Sequence, residues 1–129
     1  MGGSGFSVSG LDHVTVTTPV ELAEEVISWY SDCFGLERID KLEGTRRDTG
    51  AWFKVGDVQL HVSQDEHNPP PAAHFALQVD DFEAAVERLR EASCHLEQAS
   101  PIPGRRRCFT RDPAGNLIEI LSFDGGPDA

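Results

Sequence analysis

Basic residues are scarce in this chain: 11 Lys and Arg stand against 22 Asp and Glu in 129 residues, a formal net charge of −11. Nucleic-acid binding depends on Lys and Arg neutralising phosphates, so this balance argues against a nucleic-acid partner. It disfavours an anionic membrane surface for the same reason. No apolar run approaches the ~20 residues that span a bilayer. Cysteine is limited to Cys33, Cys94 and Cys108, with no CxxC pair, which suggests neither a disulfide framework nor a thiolate zinc site. Reduced, mostly buried thiols in a cytoplasmic protein are expected instead. The first ten residues, MGGSGFSVSG, lack a charged region followed by an apolar one, so they read as a flexible lead-in and not a signal peptide. Phe6 stands where a myristoylation motif requires Ser or Thr. The tail from Asp124 to Ala129 also reads as flexible.

What the chain does have is an internal repeat. Leu11 to Thr17 alternates like a half-buried strand, and a helical stretch then places Leu22, Val26, Trp29, Tyr30 and Cys33 on one face. Gly35 supplies the helix stop. Short strands follow at Leu36 to Asp40, Ala51 to Val55 and Val58 to Ser63, the last two joined by Gly56-Asp57. After a proline-bearing loop the order recurs. His74 to Val79 reads as a strand, and Asp80 with Glu83 as a capping box for a helix that turns Phe82, Ala85, Val86 and Leu89 inward. Strands then fall at His95 to Gln98, Arg106 to Arg111 and Leu117 to Phe123. The pattern predicts one α+β domain over residues 1–129 built from two βαβββ modules, at about 10–63 and 73–123, joined by a linker at about 64–72.

Side chains alternate across a strand, so the helix-covered face should collect the apolar residues. That puts Val14 and Val16 inward and leaves His13, Thr15 and Thr17 on the other face. The same rule leaves His61 in the fourth strand, His74 in the fifth and Glu119 in the last on the face opposite the helices. His13 and His74 occupy equivalent places on the two opening strands, and His61 and Glu119 on the two closing ones. Imidazoles and a carboxylate on one face suit a divalent first-row metal in an open, catalytic kind of site. His67, in the proline loop, and His95 lack this placement and read as surface residues.

The segments LDHVTV, WYSDCFGLE, HFALQVDDFEAAVERLREA and TRDPAGNLIEIL together resemble the vicinal oxygen chelate superfamily, which includes glyoxalases, bleomycin-resistance proteins and extradiol dioxygenases. The resemblance covers about Gly10 to Phe123, and its DPxGNxIE-like part is specific for the superfamily and not for one activity. It implies two βαβββ modules whose sheets form a cupped surface around one divalent ion (Zn, Ni, Mn or Fe). The implied ligands are His13, His74 and Glu119, with His61 at a position often held by Glu or Gln. It also implies a homodimer, with the modules of one cup drawn from one chain or from two.

Such a site would make a small metal-dependent lyase or isomerase of the glyoxalase type, with Glu119 or His61 moving a proton beside the metal. Two alternatives stay open: a non-catalytic dimer that sequesters a drug or metabolite, and a small Fe(II) ring-cleaving dioxygenase using the two-histidine, one-carboxylate set. A structural homologue without activity would instead show these residues tied up in salt bridges or occupied by neighbours. Arg105, Arg106 and Arg107 form the one basic cluster, and alternation puts Arg107 and Phe109 on the cup face. Arg107 is therefore a candidate contact for an anionic small-molecule substrate, with Phe109 and Thr15 lining the site. Trp52 and Lys54 lie on a strand too short for its parity to be assigned.

Overall fold

In a computed structural model, described for residues 5–42, 49–67, 69 and 71–123, the chain forms eight strands and two α-helices. The lead-in residues 1–4, Pro70 of the linker and the tail 124–129 lie outside the described residues. The first half comprises β1 (His13–Thr18), a 3-10 turn (Val20–Leu22), α1 (Ala23–Phe34), β2 (Glu37–Ile39), β3 (Ala51–Val55) and β4 (Val58–Gln64). The second comprises β5 (His74–Gln78), α2 (Phe82–Glu91), β6 (Leu96–Gln98), β7 (Arg105–Arg111) and β8 (Leu117–Phe123). Each half makes its own four-stranded sheet, ordered β1-β4-β3-β2 and β5-β8-β7-β6. In both, the opening and closing strands run parallel and the remaining pairs antiparallel. Among the described residues no helix is long and apolar enough to cross a membrane.

Local sequence explains the boundaries. Gly35 ends α1 in the left-handed conformation (φ 62°), its N–H donating to the Ser31 carbonyl at 3.0 Å. Gly56 carries φ 56° while Asp57 does not turn positive, the pattern of a type II′ hairpin that pairs Val55 with Val58. At α2 the cap is Asp81 and not Asp80: its carboxylate accepts from the Ala84 N–H at 3.0 Å. The helix therefore begins one residue later than the spacing of Asp80 and Glu83 suggests, because the side chain of Asp81 reaches the first exposed amides.

The helix-facing sides of both sheets feed a single core. Val26, Tyr30, Phe53 and Leu60 of the first half pack in one cluster with Leu77, Leu89, Ile118 and Ile120 of the second. Polar bonds cross the same seam. The Tyr30 hydroxyl donates to Asp112 Oδ2 at 2.8 Å, and Asn116 Nδ2 donates to the Thr17 carbonyl at 2.9 Å. His67 departs from its expected place as a surface residue. Its Nε2–H donates to the Ala114 carbonyl at 2.6 Å, which leaves Nδ1 to accept from the Thr17 hydroxyl at 2.7 Å. It is a staple between the halves, brought there by the linker it sits in.

Candidate functional site

With the helices gathered on the shared core, the other faces of the two sheets carry the polar residues. The strand register sets them out identically in the two halves. His13 pairs with Gln59 and lies diagonally from His61; His74 pairs with Leu117 and lies diagonally from Glu119. An aromatic residue completes each group across the antiparallel hairpin: Trp52 opposite His61, and Phe109 opposite Glu119. Trp52 was not assignable from its own short strand. The two-residue turn at Gly56-Asp57, which fixes Val55 opposite Val58, contains the register that places it opposite His61.

In the first half three rings stack. Trp52 and His61 lie 4.0 Å apart with planes 1° from parallel, and His61 and His13 lie 4.0 Å apart at 13°. His61 bonds Gln59 Oε1 through Nε2 at 2.8 Å, so Nδ1 carries its lone pair. Burial, and then the neighbouring His13, push the His61 pKa down and favour the neutral ring. Imidazole lone pairs lie in the ring plane, so two rings stacked in this way do not converge on one ion. His13 donates from Nδ1 to Asp12 Oδ2 at 2.9 Å, which leaves its Nε2 as the lone-pair nitrogen when the ring is neutral.

In the second half His74 donates from Nδ1 to the Ala72 carbonyl at 2.9 Å. Its Nε2 then faces Glu119 Oε1 at 3.2 Å. Because Nδ1 already donates to Ala72, the bond to Glu119 needs a proton on Nε2 as well, and a cation can take the place of that proton. Two ligands bound at about 2.1 Å to one ion stand roughly 3.0–3.4 Å apart, so the spacing suits neighbouring ligands of a metal. A backbone carbonyl holding the far ring nitrogen is the usual support for a metal-binding histidine. Glu119 is buried, and Arg107 Nε donates to its other oxygen, Oε2, at 2.8 Å. Burial works against ionisation of Glu119, but the bond and charge of Arg107, then those of His74, outweigh it and hold the pKa down. Arg107 is itself fixed by donation to the Ser100 carbonyl at 2.7 Å. Phe109 meets His74 edge-on at 5.0 Å.

The two groups open onto different cavities. His13 and His61 line one of about 320 Å³ with Trp52 and Gln59. His74 lines another of about 370 Å³ between β1 and β5, together with Thr15 and Asn116. Among the described residues no three His, Cys, Asp or Glu side chains gather as a metal-binding group. The donor types and the His74–Glu119 spacing fit a divalent ion, but a single chain brings them together only two at a time, and the ion pairs of His13 with Asp12 and of Glu119 with His74 and Arg107 are the pattern expected of a homologue without activity.

The sequence profile of the Glyoxalase/Bleomycin resistance protein/Dioxygenase superfamily matches residues 10–120. The chain belongs to this superfamily. A glyoxalase family protein from Bacillus anthracis is 30% identical, with a TM-score of 0.85 over 92% of this chain and 98% of that one. The antibiotic binding protein TnmS3 from Streptomyces sp. CB03234 is 20% identical, with a TM-score of 0.74 over 92% and 99% of the two chains. A mutant of the fosfomycin resistance protein FosX from Listeria monocytogenes, complexed with Mn(II) and dihydroxypropylphosphonic acid, is 17% identical (TM-score 0.76, 92% and 95% covered). The last two show a common fold. No curated protein matches the chain. The fold thus carries metal-bound and antibiotic-binding structures alike and by itself does not choose between them.

Proposed function

We propose that the protein is a divalent-metal-dependent lyase or isomerase of the glyoxalase type, acting as a homodimer whose cup combines the first half of one copy with the second half of the other. The observation that carries this reading is the 3.2 Å bond between His74 Nε2 and Glu119 Oε1, a proton-bridged pair at the spacing of neighbouring metal ligands, each with its remaining polar atom already committed. His74 and Glu119 of one copy and His13 of the other would hold the ion, with His61 of that second copy beside it. A bound divalent ion supplies Lewis acidity to substrate oxygens and stabilises negative charge that develops on them.

The residues of the chain divide the remaining work. Arg107 keeps Glu119 ionised and, by occupying Oε2, leaves Oε1 on the His74 side as the oxygen that would hold the ion, which makes Glu119 a ligand and a weak base. His61, kept neutral by burial and held by Gln59, has a lone pair at Nδ1 and is the better group to accept a proton from the substrate. Thr15 and Phe109 line the substrate space, and Arg107 adds positive charge for an anionic group.

Metal content of tag-free protein purified without chelator tests the proposal. Bound Zn, Ni, Mn or Fe that disappears in His74→Ala and Glu119→Ala is expected, together with a metal-induced rise in Tm. No metal and no rise would overturn it. The three-ring stack of Trp52, His61 and His13 favours a second reading, a sequestering dimer that binds without turnover. That reading predicts tight ligand binding unaffected by chelator.

A further inference from the structure

Two thiols 61 residues apart in the sequence meet between the halves of the molecule. Cys33 lies in the last turn of α1 and Cys94 just beyond α2, and their sulfurs are 4.0 Å apart. Both are free. The two are not counterparts in the repeat, since Cys33 lies inside α1 and Cys94 past the end of α2; it is the packing of the two helix ends that brings them face to face. Trp29 donates its indole N–H to Cys94 Sγ at 3.2 Å. The backbone holds Cys94 there at some cost. The chain leaves α2 through Ser93 at φ 59°, a left-handed conformation that a residue with a Cβ rarely adopts, and the Cys94 N–H donates to the Leu89 carbonyl at 2.9 Å. Neither thiol belongs to the polar faces described above.

We propose that Cys33 and Cys94 form an oxidation site, joined by a disulfide that ties the first half of the chain to the second when a peroxide is present. The bond requires the sulfurs to close by about 2 Å, a movement within the reach of side-chain rotation. Cys94, the more exposed of the two, gives up its proton and attacks a peroxide oxygen. The O–O bond breaks, one water leaves, and Cys94 carries a sulfenic acid. Cys33 then loses its proton and attacks the Cys94 sulfur, the S–O bond breaks, and a second water departs. Two thiols are oxidised by two electrons and one hydrogen peroxide is reduced to two waters. Burial, and then the neighbouring Cys94 thiol, push Cys33 up to about 12, which leaves the first attack on the peroxide to Cys94.

The test is hydrogen peroxide treatment of the intact protein followed by non-reducing peptide mapping. The expected product has lost two hydrogens and contains a Cys33–Cys94 cross-linked peptide that dithiothreitol reverses. Its Tm exceeds that of the reduced protein by several degrees, because the link closes a long loop in the unfolded chain. Cys108→Ser should behave identically, and Cys33→Ser should stop at a Cys94 sulfenic acid that dimedone traps. Three results would overturn the proposal: sulfinic or sulfonic acid at Cys94 without the link, intermolecular products through Cys108, or a link that forms only in denaturant. The wild-type map decides the matter even if a serine variant fails to fold.

Discussion

Replacing Arg107 with Met removes one partner from a largely buried ion pair while keeping most of the side-chain volume. The Arg107 and Glu119 side chains are 15% and 9% exposed, and Arg107 Nε lies 2.8 Å from Glu119 Oε2. Truncating one member of a fully buried pair costs about 3–5 kcal/mol, because the other charge is left without compensation. His74, 3.2 Å from the second oxygen, retains part of that compensation, so a loss of about 2–3 kcal/mol is expected here. For 129 residues this corresponds to a fall in Tm of roughly 7–11 °C in metal-free protein. Arg107→Met, Glu119→Gln and the double variant, compared by urea denaturation, form a cycle. The double variant should be less destabilised than the sum of the singles by about 1–3 kcal/mol. The pH dependence follows from the same pair. Glu119 titrates below its ordinary value, so the pair stabilises the wild type above the unfolded carboxylate pKa of about 4.3 and ceases to as pH falls through the folded value. The gap between wild type and Arg107→Met should therefore narrow on acidification from pH 5 to 3. Additive single variants, or a loss under about 0.5 kcal/mol, would refute the assignment of Arg107 as the group that holds Glu119 ionised.

Tyr30→Phe removes a buried hydroxyl that donates to Asp112; chemical denaturation should show a loss of about 1–3 kcal/mol. Asp81→Ala, which deletes the α2 cap, should cost about 1 kcal/mol, with Asp80→Ala close to neutral in the same assay. Gly50→Ala places a Cβ against the Val62 carbonyl oxygen at a φ of +72°, so thermal unfolding should show a penalty above the ~1 kcal/mol typical of a residue forced into the left-handed region.

The fold was legible because the repeat dictates it: alternation in β1, β4, β5 and β8 separates His13, His61, His74 and Glu119 from Val16, Leu60, Leu77 and Ile118 without any knowledge of pairing. The DPAGN segment, part of the resemblance, has a structural role. Asp112 accepts the Ala114 and Asn116 backbone N–H groups at Oδ1 and the Tyr30 hydroxyl at Oδ2, while Asn116 reaches Thr17. It closes a turn and ties the halves together, so it reports architecture and not chemistry. Other features depend on tertiary proximity that no local pattern encodes. Arg107 carried no signal of its bond to Glu119 beyond facing the same way. The exchange of Asp80 for Asp81 as the cap turned on one residue of helix phase. The contact of Cys33 with Cys94 had no signal in the sequence, because one lies inside its helix and the other beyond the end of the second.

Because both halves bury their apolar faces in one core, neither is a folding unit. A chain ending at the linker would leave Val26, Tyr30, Phe53 and Leu60 without Leu77, Leu89, Ile118 and Ile120 to cover them. During synthesis, then, the first sheet has only α1 over its apolar side until Leu77, Leu89, Ile118 and Ile120 have left the ribosome. Even β1 finds its partner only when β4 arrives more than forty residues later. Such distant pairings, one within each repeat, raise the contact order and slow folding.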